Sequence, residues 1–186
     1  MPYCLQCGHQ AEQKIPQGDS RPRLVSPACG YIHYANPKVI NGCVLVHENK
    51  VLLCRRAIEP RHGYWTLPAG FMELGETMKD GGNRECFEEA EAMGSALELY
   101  CLYDIPDIGQ IHVMFIGALQ DGKFGVGEES LECALFAEEE IPWQDLAFAN
   151  VKETLNHYFA DRKAGATLGN FPLHQQVIVR DVHLSD

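Results

Sequence analysis

Apolar and polar positions change their spacing several times along the chain, and each change marks an element. Residues 38–47 (KVINGCVLVH) are a nearly unbroken apolar, β-branched run, which predicts a buried strand. Glu48, Asn49 and Lys50 supply a turn, and residues 51–55 (VLLCR) read as the partner strand of a hairpin. A charged, turn-rich loop at 57–63 leads to a short strand at 64–69 (YWTLPA), where Trp65 is most simply a core residue. Thr77 caps a helix that runs to about Ala92, in spite of Gly81-Gly82 near its start. Strands follow at 96–103 and 110–119, joined through the Pro and Gly of 104–109. A Gly-rich loop at 121–129 precedes a strand at 131–137, and a short segment at 138–142 leads to a long helix at 148–163. The apolar side of that helix carries Val151, Leu155, Tyr158 and Phe159. The tail holds one further candidate strand at 176–182. Strands interleaved with two helices predict an α/β sandwich on a mixed sheet.

Composition narrows the picture. A chain of 186 residues with 46% apolar content suits one ordinary domain with a small appendage. A net charge of −11 argues against non-specific binding to nucleic acid or to an anionic membrane. An anionic substrate must then be drawn in by local arginines and metal. There is no apolar run long enough to span a bilayer, and MPYCLQCGHQ has no charged segment followed by an apolar one, so a cytoplasmic location is expected. Eight cysteines in such a setting suggest reduced thiols or metal binding.

Some of those cysteines form a pattern. Cys4-x2-Cys7 is followed after 18 residues by Ser26-x2-Cys29, and glycine follows each pair, at Gly8 and Gly30. This is zinc-ribbon spacing with serine in the third position, and a serine hydroxyl is a poor zinc ligand at neutral pH. Cys4, Cys7 and Cys29 are candidate Zn2+ ligands, with water, His9 or His33 as a fourth, or the site holds no metal. The ribbon-like unit is expected over residues 1–34 and the main domain over 35–186. A unit this small needs metal or docking for support.

The densest chemistry lies at 70–92 (GFMELGETMKDGGNRECFEEAEA). Glu85, Glu88 and Glu89 at i, i+3 and i+4 share one helix face. Their mutual repulsion becomes a ligand set once a hard divalent cation is present. Arg84 can hold one of the acids by a bidentate pair, and Glu76 can serve as its partner or as a further metal contact through water. Arg55 and Arg56, at the end of an apolar run, either reach a phosphate or are surface charges at a strand end.

This stretch resembles the Nudix box, G-x5-E-x7-R-E-U-x-E-E-x-G-U, and meets every charged position at Glu76, Arg84, Glu85, Glu88 and Glu89. One position departs: Glu91 stands where the family has its second glycine, a left-handed helix exit. The ribbon, residues 34–38, 63–70, 104–110 and 129–133 extend the similarity to zinc-ribbon Nudix hydrolases, in the branch that includes the plant plastid FAD/ADP-ribose pyrophosphatase. The resemblance implies a Nudix α/β/α sandwich after a small ribbon and metal-dependent hydrolysis of a dinucleotide such as FAD or ADP-ribose, releasing AMP. It also implies Mg2+ or Mn2+ at Glu85, Glu88, Glu89 and Gly70, substrate contacts at Arg55, Arg56 and Glu76, and a homodimer. Among catalytic candidates it implies Glu89, Arg84 and a general base on the later loop, with Glu129 ahead of Glu128 and Glu132 and free to swing in on the loop's glycines. NADH pyrophosphatase activity is an alternative, although the S-Q-P-W-P-F-P signature of those enzymes is absent; a ligand-sensing domain without turnover is another. A nucleic-acid adaptor is disfavoured, because residues 1–30 offer only Lys14, Arg21 and Arg23 as cations.

Overall fold

The structure, a computed structural model, describes residues 2–179. The chain divides into two compact units, Met1–Pro37 and Lys38–Asp186.

The first unit is a three-stranded antiparallel sheet, β1 (Glu12–Lys14), β2 (Arg23–Val25) and β3 (Ile32–His33), in that order. Two matching turns flank it. Gly8 N–H donates to the Cys4 carbonyl and Gly30 N–H to the Ser26 carbonyl, each at 2.9 Å. Both glycines have positive φ, 71° and 75°, which a side chain would resist. Among its described residues only Cys4, Ala11, Pro16, Val25 and Ser26 are buried. That is too little apolar surface to offset the entropy of ordering the segment.

The second unit is built on a mixed eight-stranded sheet. Its strands are β4 (Lys38–His47), β5 (Lys50–Arg56), β6 (Trp65–Thr66), β7 (Ala69–Phe71), β8 (Gly94–Ile105), β9 (Gln110–Leu119), β10 (Ser130–Phe136) and β11 (His174–Val177). The spatial order is β10-β5-β4-β9-β8-β11, with β6 added to β5 and β7 to β4. β4 runs parallel to β9, and β11 parallel to β8. Helix α1 (Met78–Ala90) covers one face and α2 (Ala149–Lys163) the other.

The alternation of side chains along each strand explains this sandwich. Cys43, Leu45, Leu52, Cys54, Val113 and Phe115 face the cluster that includes Cys86 and Ala90 of α1. Their neighbours Val44, Val51, Leu53, Met114 and Ile116 face the opposite cluster, with Val151, Leu155, Tyr158 and Phe159 of α2. Strands buried on both faces read as continuous apolar runs, as residues 38–47 do. Trp65 sits against this core, edge-on to Phe136 at 4.9 Å.

Three expectations change. The strand expected at 64–69 is two, because the chain leaves β5 after Thr66 and joins β4 from Ala69, with Pro68 between them offering only its carbonyl, to Cys43 N–H at 3.1 Å. β8 is longer than expected and carries two register shifts against β9. The tail strand is His174–Val177 rather than 176–182, and residues 180–182 lie outside the described residues. Among the described residues no helix is long and apolar enough to cross a membrane.

Candidate active site

Both ends of α1 are fixed. Thr77 Oγ1 accepts from Asp80 N–H at 3.2 Å and donates to the Asp80 carboxylate at 2.7 Å, closing the N-terminus. At the C-terminus Glu91 takes the left-handed conformation, with φ 48°. Glu91 N–H donates to the Phe87 carbonyl and Ala92 N–H to the Cys86 carbonyl, at 2.8 and 3.2 Å. This is the glycine-type helix exit formed by a glutamate, at a local cost of about 1 kcal/mol.

The Gly-rich loop docks on that same end. Gly125 N–H donates to the Ala90 carbonyl at 2.7 Å and Gly127 N–H to the Glu89 carbonyl at 3.1 Å, satisfying carbonyls the helix leaves open. Ala57 N–H holds the Glu129 carbonyl at 2.8 Å. The glycines therefore fasten the loop backbone to α1.

Arg84 organises the acids. Its Nε and Nη2 form a fork on Glu76, at 3.0 and 2.9 Å, and Nη1 reaches Glu85 at 2.7 Å and Glu88 at 2.8 Å. Nη2 also donates to the Phe71 carbonyl at 3.0 Å, tying the helix to β7. The guanidinium beside Glu76 holds that carboxyl down at about 2. Glu85 and Glu89 are buried, and burial raises both; Glu89 is pushed up to about 8, against the help of Ala69 N–H, which donates to it at 3.2 Å. The charge of Glu129 adds to the upward push on both.

Gly70 lies in β7 beneath this cluster, and a side chain there would overlap the Glu85 carboxylate. Glu85, Glu88, Glu89 and Glu129 all border one cavity of about 840 Å³, together with Gly70, Arg84 and Arg56. A set of hard oxygen donors with a buried carboxyl lacking a cation of its own fits a divalent metal ion.

Arg56 borders the cavity, but Arg55 does not. Arg55 Nε donates to the Gly63 carbonyl at 2.9 Å and its Nη1 lies 3.9 Å from Glu132, opposite it on β10. Neighbouring strand residues face opposite ways, so one of the two arginines had to be turned aside. Glu132 leaves with Arg55, while Glu128 stays at the cavity. Sequence reasoning missed the rim: Phe71, Phe87, Ile58 and Val126 border the cavity as exposed apolar side chains. The signal available was Phe87, an apolar residue beside the site acid Glu88 on a helix face that is otherwise charged.

A family model described as Nudix N-terminal matches residues 2–35, and one described as the NUDIX domain matches residues 37–159. The chain belongs to the Nudix family. This Nudix hydrolase is similar to a Nudix hydrolase of known crystal structure from Nitrosomonas europaea, 47% identical over 97% of this chain and 100% of that one, with a TM-score of 0.90. An ADP-ribose pyrophosphatase of Methanocaldococcus jannaschii is 31% identical over 126 residues, covering 66% of this chain and 73% of that protein. The NAD-capped RNA hydrolase NudC of Haemophilus influenzae is 34% identical over 89 residues, 47% of this chain but only 32% of that protein's length. The Nudix box of this chain is thus the α1 segment with its preceding loop, and the ribbon is the Nudix N-terminal unit.

Proposed function

We propose that this Nudix hydrolase splits the pyrophosphate bond of a nucleoside diphosphate derivative, ADP-ribose or FAD foremost, and releases AMP. The supporting observation is the trio Glu85, Glu88 and Glu89, the first two bridged by Arg84 and the third held by Ala69 N–H, at one wall of a cavity large enough for a dinucleotide. The similarity to an ADP-ribose pyrophosphatase points the same way.

In this reading Glu85, Glu88, Glu89 and the backbone at Gly70 hold Mg2+ or Mn2+. When bound, the ion neutralises phosphate charge and acidifies water. The other roles fall to the chain. Arg84 keeps the acids from splaying apart and anchors them through Glu76 and the Phe71 carbonyl. Arg56, which borders the cavity with its Nε on the Pro60 carbonyl at 2.9 Å, keeps its terminal nitrogens for a phosphate oxygen. Glu129, exposed at the cavity edge on a fastened loop, accepts the proton of the attacking water. The water oxygen bonds to one phosphorus, the bridging P–O bond breaks, and two phosphomonoesters leave. The apolar rim at Phe71 and Phe87 offers stacking surface for the base. A homodimer is part of the proposal.

A second reading, hydrolysis of NAD-type ends including NAD-capped RNA, draws on the NudC similarity. The net charge of −11 weighs against a long RNA partner. One panel separates the readings: AMP release with Mg2+ or Mn2+ from ADP-ribose, FAD, NADH and an NAD-capped oligonucleotide. The highest kcat/KM is expected for ADP-ribose or FAD, and a preference for the capped oligonucleotide would replace the first reading with the second.

A further inference from the structure

The ribbon departs from four-cysteine spacing at one residue, and the geometry around that residue is informative. A tetrahedral zinc with sulfur about 2.3 Å away and oxygen about 2.0 Å away separates two sulfur ligands by about 3.8 Å, and a sulfur from an oxygen by about 3.5 Å. The unit contains both spacings. Cys4 Sγ lies 3.8 Å from Cys29 Sγ, and Cys7 Sγ lies 3.4 Å from Ser26 Oγ. Cys4, Cys7 and Cys29 place their sulfurs within 4.8 Å of one another. Ser26 opens its knuckle as Cys4 opens the other, with the same turn hydrogen bond to a glycine N–H, so its side chain is delivered to the same centre. Ser26 is 1% exposed, which is unusual for a hydroxyl on so small a unit.

We propose that Ser26 is the fourth zinc ligand, making the ribbon a Cys3Ser site whose zinc exchanges faster than that of a four-cysteine ribbon. Among the described residues no histidine joins the sulfur group, and His9 Nδ1 lies instead 3.1 Å from the Cys7 carbonyl oxygen. A water ligand would compete with Ser26 Oγ, which lies 3.4 Å from Cys7 Sγ. The hydroxyl oxygen has two lone pairs: one faces the Cys29 N–H at 3.4 Å, and the other is left for the metal once Cys7, 3.4 Å away, binds as a thiolate and no longer donates. Three thiolates and a hydroxyl carry one negative charge fewer than four thiolates when the hydroxyl keeps its proton. The ion is therefore held less tightly, while the fold around it is unchanged. This inference is independent of the substrate reading above.

The test uses the full chain loaded with zinc. X-ray absorption at the zinc edge should give three sulfurs and one light atom without imidazole scattering, and Ser26→Cys should convert this to four sulfurs. Release of zinc to a chromogenic chelator should be slower in Ser26→Cys and faster in Ser26→Ala, each by about tenfold or more. Cys4→Ala serves as the ribbon blank and should lose the zinc. Ser26→Cys keeps the test decisive even where Ser26→Ala folds poorly. Imidazole scattering, zinc retention by the blank, a chain that takes up no zinc, or release unaffected by either Ser26 substitution would each overturn the proposal.

Discussion

The two clusters of ligand-type side chains in this molecule are built in opposite ways. The sulfurs of Cys4, Cys7 and Cys29 sit on two short turns, in a unit with five buried residues among those described. The carboxylates of Glu85, Glu88 and Glu89 sit on a capped helix backed by Cys86 and Ala90 in an apolar core, with Arg84 already bridging two of them. A metal in the first cluster supplies what the core lacks. A metal in the second meets a scaffold that stands without it, so there it is free to serve chemistry.

The largest expected effect separates the two. Glu89→Gln should lower kcat by about 10²-fold or more, since it removes a charged donor from the site. Its melting temperature should stay near that of the parent chain, because the amide oxygen still accepts from Ala69 N–H. Turnover near the parent level would break the comparison on the carboxylate side. Next, a zinc-selective chelator should abolish amide protection in residues 2–37 while β4 and β9 stay protected in hydrogen exchange. Loss of protection in both at once would show that the main domain also depends on that metal.

A smaller effect tests how substrate reaches the carboxylates. Arg56→Ala should raise KM about tenfold by removing a charge-assisted phosphate contact, and Arg55→Ala should leave it within about twofold. The smallest probes the metal-independent core by pH. His112 is held neutral by burial, which lowers its pKa to about 4, and its ring nitrogens lie 2.9 Å from Gln110 Oε1 and 3.1 Å from Asn150 Nδ2. The unfolded chain, with His112 near 6.5, binds more protons between about 4 and 6.5, so stability falls as pH drops through that window. Unfolding free energies from denaturant titrations near pH 7 and near pH 5 should differ by about 1–2 kcal/mol more in the parent chain than in His112→Gln. Equal differences would remove His112 from the account.

Much of the second unit was legible because its signals are local. The run at 38–47 coincides with β4 and that at 110–119 with β9, since strands buried on both faces leave long apolar tracts. Thr77 and the spacing of Glu85, Glu88 and Glu89 located α1 and its acidic face. What stayed hidden depends on register and on contacts distant in sequence. Arg55 and Arg56 are equivalent in composition, and only the pairing of β5 with β10 decides which one meets the cavity. The role of the loop glycines needed the carbonyls of Glu89 and Ala90 to be in view. Glu91 kept the glycine conformation because the hydrogen bonds of the helix exit outweigh the modest strain of a side chain there.

In the proposed reaction three helix-borne carboxylates, two of them bridged by Arg84, gather divalent ions at the cavity wall. Anomalous diffraction from crystals soaked in Mn2+ tests it most directly. A manganese peak is expected within bonding distance of carboxylate oxygens of Glu85, Glu88 and Glu89. A well-ordered soaked crystal with no peak there, and Arg84 still spanning Glu85 and Glu88, would contradict it.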